Sequence, residues 1–389
     1  MRLGIDASNL RSGGGVRHLV ELLRAAVPSS SGFSEVHVWG GKVTLDQLKD
    51  RPWLIKSYQP LLERGLLSRS LWQRFRLSQL AWSAECDLVL VPGGSYAGNF
   101  HPTVTMSRNM LPFVWEELRR YAWSLTGLRL LILRHVQSRA FRRADGVIFL
   151  TKYARDTIMR VIGNTSGAIA IIPHGVDGDL LQPPRKQRGI ELYSMDRPFR
   201  IIYVSIVDQY KHQWELAEAI ALLRGRGIPV TLDLVGPAYR PSLERLRRTQ
   251  ERVDRRGEFV FYRGAIPYSK LAERYAQADL CVFASSCENM PNILLEGMAS
   301  GLPIASSNRG PMPEVLGNGG VFFDPEDTND IARVLAGLIS SPDLRSRLAT
   351  ASSDRVREFS WDRCARETFE FLATVASEGR RKGDSGDRS

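Results

Sequence analysis

No stretch of this 389-residue chain is apolar for long enough to span a bilayer. The most apolar long run, Leu125 to Leu133, is interrupted by Arg129 and falls well short of the ~20 residues a crossing helix needs. The opening MRLGIDASNL also lacks the basic start, apolar run and small-residue cleavage site of a secretory leader. Cysteine is scarce. Cys86, Cys281, Cys287 and Cys364 show neither metal-ligand nor redox spacing, which fits a reducing compartment. Acidic residues are outnumbered, 42 against 53 basic ones, and the net charge is +11. Such an excess favours an acidic partner, and charge alone does not choose between nucleic acid, an anionic bilayer and phosphorylated substrates. No aromatic-interleaved nucleic-acid motif accompanies it, so no nucleic-acid partner is expected. The expected location is the cytoplasm, with peripheral contact at the inner face of the membrane left open. Arg119, Arg120, Arg129, Arg134, Arg139, Arg142 and Arg143, interleaved with Trp123, Leu128 and Leu131, suit either an anionic membrane surface or ordinary solvated helix faces.

What is present is globular: 43% apolar and 24% charged residues, over a length suited to two domains of ~150 to 200 residues each. The amino terminus reads as strand, loop and helix, with Leu3 to Ile5 followed by Ser12 to Gly15 and a helical pattern from Val16 to Ala26. Short apolar runs recur at Val36 to Trp39, Leu88 to Val91, Thr103 to Met106 and Gly146 to Leu150, separated by helix-like segments. Alternation of this kind predicts a parallel sheet covered on both faces. A Pro-, Arg- and Lys-rich stretch from Pro183 to Arg197 reads as a linker, and beyond it the alternation restarts from Arg200 to Phe323. The expected organisation is therefore 1–180 and 181–360, each doubly wound, then a last helix over about 361–377. The tail 378–389, without apolar residues, is expected to be disordered.

The segment Ser285-Ser286-Cys287-Glu288-Asn289-Met290-Pro291-Asn292-Ile293-Leu294-Leu295-Glu296 carries the densest chemistry. It begins at the carboxyl end of a predicted buried strand, the edge at which parallel sheets bind ligands. Pro291 suits a first helical turn and Gly301 the position beyond the helix end. Amides from Asn289 to Asn292, with the helix dipole, suit a diphosphate. Seven residues separate Glu288 from Glu296, placing one in the loop and one in the helix, where both can face one pocket and accept hydrogen bonds from sugar hydroxyls. Glutamates at these places are otherwise suited to a cap and a solvated helix position.

This segment resembles the signature of the family 4 retaining glycosyltransferases of GT-B fold, whose paired glutamates hold donor ribose and donor sugar. The resemblance extends through Ile172 to Asp177, Phe261 to Gly264, Leu271 to Asp279, Pro313 to Val315, Phe323 to Pro325 and Phe359 to Trp361. It implies two facing Rossmann-like domains, the first binding acceptor and the second binding donor, with the last helix packing back on the first. It also implies glycosyl transfer from a nucleotide diphosphate sugar to a glycan, lipid-linked or small-molecule acceptor, as in cell-surface polysaccharide or glycoconjugate synthesis, with no metal and no cofactor beyond the donor. By the same resemblance Glu288, Lys211 and Asn109 take catalytic places. Glu296, Asn289, Met290, Pro291, Asn292, Lys211, Gly14, Gly15 and Arg263 take donor-binding ones. Two positions depart from the pattern. Ile206 stands where an arginine is expected, and Asn109 where a histidine is common; His212 and Arg263 are the candidates to replace the lost cation. Asn109 is equally suited to turn chemistry before Pro112. A catalytically silent sugar-nucleotide-binding or assembly protein is the alternative. Asp177-Gly178-Asp179 mimics a metal-binding pattern of a different fold and is read as coincidence.

Overall fold

In the computed structural model, residues 1–11 and 13–386 are described, without the side chains of 66 and 382–386. The chain forms two compact units, Met1–Gly175 with Ser360–Ser389, and Val176–Phe359. The crossing thus falls after Gly175 rather than after 180, and the return precedes Ser360.

The first unit holds β1 (Arg2–Asp6), β2 (Glu35–Gly40), β3 (Leu54–Tyr58), β4 (Leu88–Val91), β5 (Thr103–Met106), β6 (Gly146–Phe149) and β7 (Ala168–Ile171). Among the described residues they make one parallel sheet in the order β3-β2-β1-β4-β5-β6-β7. The central strands Leu88–Val91 and Gly146–Phe149 are buried at every position, as strands covered on both faces must be. Edge strands β3 and β7 are half exposed; β3 is mixed in composition, so no apolar run announces it, whereas β7 is a short apolar run, Ala-Ile-Ala-Ile, left partly open to solvent. Between the strands lie α1 (Gly14–Ala25), α2 (Lys42–Leu45), α3 (Leu66–Trp72), α4 (Ser78–Ser83), α5 (Trp115–Arg119), α6 (Leu125–Arg143) and α7 (Lys152–Ile162). A π-helical turn, Gln73–Leu77, joins α3 to α4.

The second unit repeats the plan with β8 (Phe199–Val204), β9 (Val230–Val235), β10 (Val260–Gly264), β11 (Leu280–Phe283), β12 (Ile304–Ser307) and β13 (Gly320–Phe323), ordered β10-β9-β8-β11-β12-β13. Its helices are α8 (Gln213–Gly225), α9 (Arg240–Val253), α10 (Leu271–Gln277), α11 (Asn292–Ala299), α12 (Met312–Leu316), α13 (Thr328–Ser340) and α14 (Pro342–Val356). In both sheets the strand order reverses beside the first strand, between β1 and β4 and between β8 and β11, which opens a crevice at the carboxyl ends.

The last helix, α15 (Trp361–Gly386), belongs to the first unit. Phe369 meets Phe33 edge to face at 5.9 Å, and a Cβ on Gly146 would lie 3.0 Å from Val375. The expected end near 377 and the disordered tail are corrected by this helix, which continues to Gly386. Arg380 forms an ion pair with Asp87, and Gly379 lies against Pro102, so the polar tail has partners. Residues 387–389 of the expected tail lie outside the described residues.

Candidate functional site

In Val176–Phe359, two loops meet at the reversal between β8 and β11. The loop after β8 ends in a 3-10 turn, Gln209–Lys211, and the loop after β11 runs from Ala284 to Pro291. They are stitched together: Ser286 N donates to Tyr210 O at 2.9 Å, and His212 Nε2 lies 2.9 Å from Ser286 Oγ. Tyr203 Oη, from β8, donates to Lys211 O at 3.0 Å. His212 is fully buried and left-handed, φ 54, a conformation that costs a non-glycine residue about 1–3 kcal/mol and so marks a position the surroundings hold. His212 therefore braces the loops and is not an exposed substitute for the missing arginine.

Lys211 is only 6% exposed, and its Nζ forms an ion pair with Glu288 while lying 4.8 Å from the centre of the Tyr210 ring. Two residues 77 positions apart are thus brought together by the sheet order. Burial and then the Glu288 carboxylate push the Tyr203 phenol well above its usual range, keeping it a neutral donor.

Glu288 sits in the loop and Glu296 in α11, as their spacing requires. Glu296 is 3% exposed. After burial, its carboxylate is the next cause raising the Cys281 thiol, to about 12, and a lesser cause at Tyr275. A Cβ on Gly297 would lie 2.8 Å from Cys281 Sγ, so α11 rides directly on β11. Gly301, φ 71, follows the helix with no room for a Cβ beside Pro183 O; both the backbone and the contact require glycine.

The amides proposed for a diphosphate need correction. Pro291 has no N–H and occupies the N-cap rather than the first turn, and Asn292 N already donates to Met290 O at 3.0 Å. Leu295 N donates to Pro291 O, so the first-turn amides left to face a ligand are those of Ile293 and Leu294. Asn289 and Met290 are buried beside them.

Arg263 is elsewhere. It lies on the edge strand β10, its Nε 2.5 Å from Asp233 Oδ1 on β9 and its guanidinium 4.4 Å from the Phe261 ring. It does not join Lys211. Ile206 is part exposed, and its carbonyl accepts from Gln213 Nε2 at 2.8 Å.

In the first unit, Gly14 and Gly15 are the opening residues of α1, not a loop before it, and Gly13 is the N-cap at φ 69; Ser12 lies outside the described residues. Asn109 Oδ1 accepts from Leu111 N at 3.1 Å, an Asx turn that engages the amide oxygen locally. The neighbour that sequence reasoning missed is Arg108. Its Nε and Nη1 are buried without a hydrogen-bond partner among the described residues, and a Cβ on Gly15 would lie 3.0 Å from Nη1. Burial pulls this guanidinium down to about 10. An arginine two residues past the carboxyl end of a buried strand was the available signal. His18 of α1 stacks on His174 at 4.4 Å, and burial, then His174 and Arg108, hold it well below its usual range.

Among the described residues no group of three or more His, Cys, Asp or Glu side chains is arranged for a metal. Asp177 Oδ1 accepts from Asp179 N at 3.2 Å, so the Asp-Gly-Asp pattern is a turn. The four cysteines are buried, and none is in a disulfide among the described residues. Among the described residues no helix is long and apolar enough to cross a membrane.

Two family descriptions match the chain, Glycosyltransferase Family 4 over residues 12–180 and Glycosyl transferases group 1 over residues 198–341. The GDP-mannose-dependent alpha-(1-6)-phosphatidylinositol monomannoside mannosyltransferase of Mycolicibacterium smegmatis is 30% identical over 234 residues, which take in 57% of this chain and 58% of the relative. Among solved structures, sucrose-phosphate synthase from Thermosynechococcus elongatus superposes with a TM-score of 0.73 over 97% of this chain and 100% of its own, at 19% identity. The Anabaena protein HepE, in complex with UDP and glucose, gives 0.67 over 96% and 100%, at 18%. At such identities the two structures speak for the fold, which is GT-B.

Proposed function

The chain belongs to the family 4, group 1 glycosyltransferases, and on that footing we propose that it moves a sugar from a nucleoside diphosphate sugar to a glycan, lipid-linked or small-molecule acceptor. The observation that carries this is the Lys211–Glu288 pair at the β8–β11 reversal, Lys211 buried and Glu288 partly so, with Glu296 on the helix that follows. A cation and first-turn helix amides that follow the two strands flanking the reversal suit a departing diphosphate, which needs charge stabilisation as an oxocarbenium-like centre develops. Glu288 positions the transferred sugar and Glu296 accepts hydrogen bonds from the ribose. Lys211 must then turn part of its charge from Glu288 to the diphosphate.

In the proposed reaction the bond from the anomeric carbon to the diphosphate breaks and a bond to the acceptor oxygen forms on the same face, with retention. The leaving phosphate takes the acceptor proton, so neither a metal nor a protein general base is required. The Mycolicibacterium relative acts on a phosphatidylinositol mannoside, which favours a lipid-linked acceptor and a role in surface polysaccharide or glycoconjugate synthesis. The proposal includes an anionic membrane surface as a partner of the first unit.

Chromatography of products from donor and acceptor panels tests the reaction: a new glycosylated species is expected, and none with any donor would contradict it. A second reading, a silent sugar-nucleotide-binding protein, draws on the Asx turn that engages Asn109. Donor binding without turnover would favour it.

A further inference from the structure

We infer that the solvent faces of α3, the π-helical turn and α6 form one docking surface for an anionic bilayer. This deepens the proposed membrane partner of the first unit and does not depend on the identity of the donor.

Helix α6 buries Gly127, Leu130, Gln137, Ala140 and Phe141 against its own unit. The opposite face of a surface helix is ordinarily polar. Here it carries Leu125, Leu128, Ile132 and Val136, spaced three, four and four residues apart, so they fall in one stripe; all are exposed, Leu125 to 87%. The segment from α3 into the π-helical turn has a matching stripe, Leu67, Leu71 and Phe75, at intervals of four, with Leu67 82% exposed. Trp115 and Trp123, at the start of α5 and just before α6, are exposed too. Isolated exposed apolar residues need no explanation, but two stripes and two tryptophans on neighbouring elements do.

Two observations make the stripes one surface. A cavity of about 380 Å³ is lined by Arg74 from the π-helical turn and by His135, Val136, Arg139 and Arg143 from α6. Arg69 of α3 is near Arg129 of α6; after burial, the charges of Arg11 and Arg129 hold its guanidinium below the usual value.

The charge pattern chooses the occupant. In Val176–Phe359 surface arginines are commonly paired, Arg252 with Glu218, Arg309 with Asp324 and Arg355 with Glu358. Among the described residues, no ion pair involves Arg74, Arg129, Arg139 or Arg143. Apolar side chains flanked by arginines without carboxylate partners, with tryptophans at the margin, match the acyl boundary, phosphates and interfacial zone of an anionic bilayer. The cavity holding Arg74, Arg139 and Arg143 is then a place for a lipid headgroup phosphate.

Co-sedimentation of the full chain with vesicles tests this. Binding is expected to vesicles of phosphatidylcholine mixed with phosphatidylglycerol, falling with added salt, and to be weak with phosphatidylcholine alone. The pair Arg139→Glu with Arg143→Glu is expected to weaken binding about tenfold or more. The pair Leu128→Ser with Ile132→Ser, exposed and therefore safe for folding, is expected to do the same, while the thermal shift given by a bound nucleoside diphosphate sugar is unchanged. Equal sedimentation with the two kinds of vesicle, or variants that bind as well as the parent chain, would overturn the inference. So would absent vesicle binding together with a solution dimer that Leu128→Ser with Ile132→Ser dissolves, since the occupant would then be a second copy.

Discussion

At the carboxyl edge of the sheet in Val176–Phe359 the cation that arrives is paired, Lys211 with Glu288; at the same edge in Met1–Gly175 it is not, for Arg108 Nε and Nη1 have no partner among the described residues. One strand order thus carries two electrostatic states. The paired edge is preorganised: its loops are tied by Ser286 and His212, and its charge is neutralised until a ligand competes for it. The unpaired edge bears a desolvation cost that a bound anion would relieve.

The largest expected effect breaks the paired edge. Lys211→Ala leaves the Glu288 carboxylate partly buried and alone, and is expected to lower stability by about 3 kcal/mol and to weaken donor binding ~100-fold. Urea unfolding and calorimetry measure the two. If Lys211→Met leaves donor binding intact, the pair has only a structural role.

Arg108 is predicted to respond in the opposite sense. Arg108→Met removes a part-buried cation whose Nε and Nη1 have no partner among the described residues, so the chain should gain about 1–3 kcal/mol in urea unfolding. A loss of stability would mean that the guanidinium is satisfied and that the two edges do not differ as described.

His18, close to Arg108, gives a pH signature. Its folded value lies well below the usual 6.5, so below about pH 6.5 the unfolded chain binds a proton that the native chain does not. Stability should therefore fall with acidification by ~1.4 kcal/mol per pH unit, and His18→Phe should remove that slope. Parallel slopes in the two proteins would refute it. The smallest expected effect is at Ile206, where Ile206→Arg adds a cation near the paired edge and should tighten donor binding about fivefold in calorimetry. Unchanged affinity would indicate that Lys211 already meets the charge.

The sequence disclosed whatever local pattern encodes. Leu88–Val91 and Gly146–Phe149 read as buried strands because both faces are covered, and Glu288 and Glu296 fell in loop and helix because a strand end and Pro291 bracket them. Long-range pairings were hidden. Arg263 looked available until β9 set Asp233 beside it, and the helical continuation past 377 has an ion pair reaching back to Asp87. Arg108 was passed over because a missing partner is a property of packing, not of residue order.

Thermal denaturation of the parent chain and of Glu296→Ala, each against a panel of nucleoside diphosphate sugars, tests the central claim most directly. The account predicts that one donor raises the parent's midpoint, about 2.7 kcal/mol of stabilisation at a hundredfold excess over its dissociation constant, and that Glu296→Ala abolishes the rise. An equal rise in the two proteins, or none in the parent with any donor, would contradict it.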